Sequence, residues 1–207
     1  MAKNKTNKAW INRHLTDHYV HLAQRDGYRS RAAYKLIELD DENQLFNNVS
    51  RIVDLGCAPG SWLQVAIRRM TNKNALIIGL DLLEIEPIAN LRFIHGDFTD
   101  ENVHNQLVNA LEGYAVDLLI SDIAPNLTGI RGVDQARSAY IVELVLEFAQ
   151  SYLKSGGNAL IKVFQGGEFD KLIKLARSIF SQVLIKKPDA SRSESAEVYL
   201  LCKNKIS

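Results

Sequence analysis

The chain has 207 residues, with 25 Lys+Arg against 24 Asp+Glu and a formal net charge of +1. Its 46% hydrophobic and 24% charged residues are ordinary globular usage, which excludes wholesale disorder, and no apolar run approaches the roughly 18 residues of a transmembrane helix. Cys57 and Cys202 supply neither a disulfide framework nor a zinc cluster, and the basic, polar opening MAKNKTNKAW is no secretory signal, so a cytoplasmic protein without membrane or metal is expected.

One domain over residues 1–207 is expected, with a basic helical extension (1–50) packed on an α/β core (51–207). The extension carries two predicted helices, around Lys8–Arg25 and Ser30–Asp40. From Arg51 onward short apolar runs alternate with longer amphipathic segments, the pattern of a parallel sheet with crossover helices. Arg51–Leu55 reads as a strand, followed by the turn Gly56–Gly60 and a helix Trp62–Met70 with Ser61 as N-cap. Strands follow at Ala75–Leu80, Leu91–Ile94 and Val116–Ile120, with a helix at Asn102–Leu111. A long helix Asp134–Leu153 is expected to stop at Ser155-Gly156-Gly157. The strand Asn158–Phe164, the helix Glu168–Phe180 and a final hairpin of Gln182–Lys186 with Glu197–Cys202 complete the chain.

The near-neutral total conceals three blocks: residues 1–35 carry a balance of +6, residues 36–170 one of −10, and residues 171–207 one of +5. Basic ends that meet in space would present one face to a phosphate backbone.

In an open α/β sheet, ligands bind beyond the carboxyl ends of the strands. Asp54, Asp81, Asp97 and Asp122 lie at or beside four successive strand ends, and the first is followed by the glycine turn. That turn lacks the full dinucleotide fingerprint, since Ala58 and Pro59 interrupt it, and it has no Lys-Ser/Thr pair of a P-loop. Asp81 suits ribose hydroxyls and Asp97 an adenine amino group. With no basic group expected nearby for a pyrophosphate, S-adenosylmethionine fits this edge better than NAD.

Lys162 interrupts an apolar strand, where a lysine is rarely buried without a partner, and Asp122 at the neighbouring strand end can supply one. Such a lysine beside another ammonium can act as a general base.

Five segments carry a resemblance: Ser30-Arg-Ala-Ala-Tyr-Lys-Leu36, Val53-Asp-Leu-Gly-Cys-Ala-Pro-Gly-Ser-Trp62, Ser121-Asp-Ile-Ala-Pro-Asn126, Lys162-Val-Phe-Gln-Gly166, and Lys187-Pro-Asp-Ala-Ser-Arg192 with Glu197-Val-Tyr199. Together they resemble the RrmJ/FtsJ ribosomal RNA 2′-O-methyltransferases, from about Trp10 to Cys202. The resemblance implies a Rossmann-like methyltransferase fold, with a seven-stranded, mostly parallel sheet, one antiparallel strand and helices on both faces. It implies a catalytic tetrad of Lys35, Asp122, Lys162 and Glu197, and cofactor contacts from Gly60, Trp62, Asp81, Asp97 and Asp122. Asp54, Gly56, Pro59, Leu82 and Phe98 stand beside these on the same loops. The implied reaction is methyl transfer from S-adenosylmethionine to the 2′-hydroxyl of a uridine in the A-loop of 23S ribosomal RNA, within the large ribosomal subunit and by a monomer.

Arg29, Arg31, Lys186, Lys187 and Arg192 are then candidates to grip RNA phosphates, with Trp10, Tyr28 and Tyr34 available to stack on bases or, more simply, to pack on the domain. A transfer-RNA or cap 2′-O-methyltransferase, or a non-catalytic RNA-binding assembly factor, are the alternatives. The intact tetrad disfavours the last.

Overall fold

The computed structural model describes residues 17–72, 74–125 and 128–207. Two short helices, α1 (His18–Asp26) and α2 (Ala32–Asn43), precede the core. The core then runs β1 (Arg51–Leu55), α3 (Ser61–Arg69), β2 (Leu76–Asp81), β3 (Leu91–His95), α4 (Glu101–Ala110), β4 (Val116–Ser121), α5 (Arg131–Tyr152), β5 (Leu153–Phe164), α6 (Phe169–Ile179), β6 (Phe180–Lys186) and β7 (Glu197–Lys205).

The seven strands stand in the order β3-β2-β1-β4-β5-β7-β6. All neighbours from β3 to β5 pair in parallel, while β7 runs antiparallel to both β5 and β6. This is the mostly parallel sheet with one reversed strand that was expected. The chain leaves β1 first toward β2 and β3, then returns to its other side at β4, so the switch point lies between β1 and β4.

Alternation along each strand divides the core between the two faces. Val53, Leu55, Leu119, Ile161 and Val163 point to the face covered by α4, α5 and α6. Ile52, Ile120, Leu160, Tyr199 and Leu201 point to the face covered by α2 and α3. Ala33, Leu36 and Leu39 sink α2 into that second face. Each buried leucine contributes about 2 kcal/mol, against about 0–1 kcal/mol for a surface ion pair. The apolar stripe, more than the bond from Arg69 to Asp40 (3.0 Å), therefore fixes α2. No helix among the described residues is long and apolar enough to cross a membrane.

Two local expectations are corrected, and a third is met only over the described residues. Ser61 is not an N-cap: Gly60 holds that position, in the left-handed region, and the Ser61 hydroxyl instead lies 2.8 Å from that of Ser30. The segment Ser155-Gly156-Gly157 does not follow a helix stop but lies inside β5. There the pairing jumps from Val116↔Leu153 to Leu118↔Asn158, so the glycines serve a bulge between the paired stretches. The helix predicted around Lys8–Arg25 is seen as α1, and its first part, with Lys3, Lys5, Lys8, Trp10 and Arg13, lies outside the described residues.

Candidate active site

Beyond the carboxyl ends of β1 and β4 lies a cavity of about 450 Å³. Its lining includes Gly56, Asp81, Leu82, Asp97, Phe98 and Asp122, six of the ten residues expected there. Gly56 adopts φ 78°, and a Cβ at this position would stand 2.5 Å from the Cα of Ile123. Only glycine allows the loop after β1 and the loop after β4 to approach this closely.

Asp81 closes β2 and organises both neighbouring loops. One carboxylate oxygen accepts from the Ala58 N–H (2.7 Å) and the other from the Leu83 N–H (2.8 Å). Asp97 turns the chain after β3, with Oδ1 accepting from the backbone and hydroxyl of Thr99 (2.8 and 2.7 Å).

The other four expected residues do not line the cavity. Pro59 follows a cis peptide bond, and its carbonyl accepts from Arg29 (3.0 Å). Gly60 passes beneath the same guanidinium, which is 2.8 Å from where a Cβ would lie. Trp62 is buried, donating from Nε1 to the Ala32 carbonyl (2.8 Å) and setting its ring 5.8 Å from that of Tyr199.

Asp54 is wholly buried, and neither carboxylate oxygen has a hydrogen-bond partner. Burial pushes its carboxyl well above the usual carboxylate range, with the charges of Asp122 and Asp81 adding to the effect. Unfolded, this group ionises near pH 4; folded, it holds its proton to higher pH. Stability should therefore fall as pH rises above that value, at no more than about 1.4 kcal/mol per pH unit. Asp54→Asn, permanently neutral, should flatten this decline in thermal melts between pH 5 and pH 9; an unchanged profile would contradict the assignment.

Arg29 binds three carbonyls: Pro59 (3.0 Å) and Glu86 (2.8 Å) through Nη1, and Pro87 (3.2 Å) through Nη2. It thus ties the glycine turn to the loop that follows Asp81. Its removal should loosen both loops and raise the dissociation constant for the expected S-adenosylmethionine by about tenfold, the equivalent of one charged hydrogen bond. Calorimetry on Arg29→Ala would show this, and native affinity would refute it.

Sequence reasoning missed Arg137, which lies exposed on α5 and lines the same cavity. It stands four residues before Ile141, another lining residue, so one helical face brings both to the site. The expectation that no basic group stands near this edge is thereby corrected.

The second group of residues converges beside this cavity. On β5 and β7, Lys162 and Tyr199 are register partners, and Glu197 lies two residues before Tyr199 on the same face. Lys35 reaches this group from α2, and Asp122 from the end of β4. Lys162 is 8% exposed, and its ammonium lies 3.1 Å from Asp122 Oδ1 while also donating to the Asp122 carbonyl. Lys35 pairs with Glu197 Oε1 at 2.5 Å. The four residues of the expected tetrad thus form two ion pairs.

The pairs are joined by Tyr199, which sequence reasoning did not single out. Its hydroxyl accepts from Lys35 (3.2 Å) and donates to Asp122 Oδ1 (2.7 Å). Burial, then the nearby Asp122 and Glu197 carboxylates, push this phenol well above its usual range, so it stays protonated.

A further cavity of about 260 Å³ is lined by Ser30, Arg31, Ala32, Lys35, Arg192, Ser195 and Glu197. Arg31 also bonds Asp17 and the Ala190 carbonyl (2.5 Å). Lys186 and Lys187 do not line this cavity; they bond Glu42 and the carbonyl of the lining residue Ser195, each at 2.8 Å. Tyr28 and Tyr34 pack edge to face against each other, 5.9 Å between centroids.

The FtsJ-like methyltransferase family matches residues 28–205. The ribosomal RNA large subunit methyltransferase E of Methylobacillus flagellatus is 52% identical over 201 residues, covering 97% of each chain. That of Chromobacterium violaceum is 47% identical over 205 residues, covering 99% of this chain and all of the relative. A ribosomal RNA methyltransferase of Plasmodium falciparum superposes with a TM-score of 0.76 at 34% identity, covering 87% of this chain and 100% of the other. With the family matched over residues 28–205 and relatives of this identity and coverage, the chain belongs to the FtsJ-like methyltransferase family.

Proposed function

We propose that this protein is an S-adenosylmethionine-dependent 2′-O-ribose methyltransferase acting on a uridine in the A-loop of 23S ribosomal RNA. One observation carries the reading. Two cavities flank a single hydrogen-bonded network, with Asp122 lining one and Lys35 and Glu197 lining the other. A donor and an acceptor can thus reach the same side chains from different openings.

The first cavity suits S-adenosylmethionine. Asp81 and Asp97 offer acceptors for ribose hydroxyls and an adenine amino group, and Gly56 lets the loop carrying Ile123 close in beside them to wall the cavity. Bound there, the cofactor supplies a methyl group on an electrophilic sulfonium.

As the neutral amine, a form that the nearby Lys35 charge favours, Lys162 takes the proton from the ribose 2′-hydroxyl and becomes an ammonium. Asp122 holds its ammonium through both a carboxylate oxygen and a main-chain carbonyl, which fixes Nζ at the strand end. Glu197 holds Lys35 from β7 through a single carboxylate oxygen, Oε1. Lys35 then places a positive charge beside the oxygen that becomes anionic, preorganised by the fold and needing no reorganisation as the charge develops. Positioning the hydroxyl against Lys162 supplies much of the acceleration.

Arg31 and Arg192 line the second cavity and stand where the acceptor's phosphates would enter. The relatives are named for the ribosomal large subunit, which favours ribosomal over transfer or capped messenger RNA. Labelled methyl transfer to isolated large subunits, transfer RNA and capped transcripts in parallel tests the substrate class. Label confined to the large subunit, mapping to one A-loop uridine, is expected; preferential labelling of either other RNA would contradict the reading.

A further inference from the structure

We infer that Tyr199 is a positioning residue for the proposed reaction, joining the two ion pairs into one polarised hydrogen-bond chain that sets how tightly Asp122 holds Lys162. The inference rests on the reading of Lys162 as proton acceptor.

The direction of the chain follows from its donors and acceptors. Lys35, as an ammonium, can only donate, and it donates to the Tyr199 oxygen at 3.2 Å. The single phenol proton must then point elsewhere. Asp122 Oδ1 lies at 2.7 Å and Glu197 Oε1 at 3.4 Å, so the proton goes to Asp122. Glu197 does not depend on it, because the same Oε1 accepts from Lys35 (2.5 Å) and from the Ser191 hydroxyl (3.2 Å).

The oxygen that receives the phenol proton is also the one that faces the Lys162 ammonium at 3.1 Å. Two donors therefore share Asp122 Oδ1. A hydrogen bond from Tyr199 draws electron density from that oxygen and weakens its attraction for the ammonium, favouring the neutral amine that can accept a proton. Lys35 strengthens the effect by polarising the phenol from behind. Tyr199 is fully buried and braced by the Trp62 ring, so its hydroxyl cannot turn to water.

The charged and titratable groups around this chain come from every neighbouring element. They are Arg31 just before α2, Lys35 on α2, Asp54 at the end of β1, Asp81 at the end of β2, Asp122 after β4, Lys162 on β5, Arg192 before β7 and Glu197 on β7. Lys186 is the register partner of Tyr199 on β6, but its ammonium is paired with Glu42.

The pH dependence of turnover at saturating cofactor and RNA tests the inference. Tyr199→Phe keeps the ring and removes the donor. Its ascending acid limb should move to higher pH by about one unit, a loss of about tenfold on that limb, with turnover approaching the native level in alkali. Incorporating 3-fluorotyrosine at position 199 makes the phenol a stronger donor and should move the limb to lower pH. This second replacement decides the matter if the phenylalanine variant fails to fold. A limb that neither replacement moves, or that both move in the same direction, overturns the inference. Native turnover in Lys162→Met would instead remove the underlying reading of the site.

Discussion

Replacing Lys162 with methionine is expected to lower turnover by about 100-fold or more while leaving cofactor affinity within about twofold of native. The side chain is one atom shorter but follows the same path on β5, so the apolar packing of Leu160, Val163 and Tyr199 is largely preserved. Removing one member of a buried pair usually leaves the other charge uncompensated, at about 3–5 kcal/mol. Here Asp122 keeps the 2.7 Å bond from Tyr199 and is partly open to solvent, so the penalty should be smaller and the variant should fold. Single-turnover methylation and calorimetric titration with S-adenosylmethionine separate the two effects. Native rates would remove Lys162 from the chemistry, and lost cofactor binding would show that it works through the first cavity instead.

Asp81→Ala should act on the other side of that division. The carboxylate anchors the Ala58 and Leu83 amides, which sit on the two loops bordering the first cavity, and still has lone pairs for ribose hydroxyls. Hydrogen bonds to a charged acceptor contribute about 1.5–3 kcal/mol each, so losing two ligand contacts should raise the cofactor dissociation constant about 100-fold or more. Turnover at saturating cofactor should change far less, because Lys162, Asp122 and Tyr199 stand on other elements. Asp81→Asn, which retains one acceptor oxygen, should fall between the two. Unchanged affinity in the alanine variant would contradict the placement of the ribose at β2.

Much of the fold was legible because its strands are short apolar runs between turn residues, and the acids at their ends mark one edge. Lys162 was legible for a similar reason: a lysine within Ala-Leu-Ile-Lys-Val-Phe breaks a pattern that burial otherwise dictates. Its apposition to Asp122 followed from the expected strand order. Lys35 and Glu197 were legible only through family resemblance. Nothing local says that α2 docks on the face where Lys162 points, since its Ala33, Leu36 and Leu39 stripe would suit any apolar surface.

Tyr199 escaped notice because an aromatic residue within a strand is most simply a core residue, and its ring is indeed buried against Trp62. The available signal was strand alternation, which places it on the same face as Glu197 two residues earlier. Arg137 was missed because α5 is long and its apolar residues do not keep to one side along its length, so the sequence does not say which exposed position overlooks the cavity. The glycines at 156 and 157 misled for a different reason. Glycine serves both helix stops and strand bulges, and the register with β4 decides between them.

The proposal that the methyl group goes to a ribose oxygen is tested most directly by alkaline hydrolysis of RNA labelled by the enzyme in isolated large subunits. Alkali cleaves RNA through attack of the 2′-oxygen on the adjoining phosphate, and a methyl on that oxygen blocks the cleavage. The account predicts label in an alkali-stable dinucleotide that contains uridine at its 5′ side. Label released in mononucleotides would place the methyl on a base and contradict it.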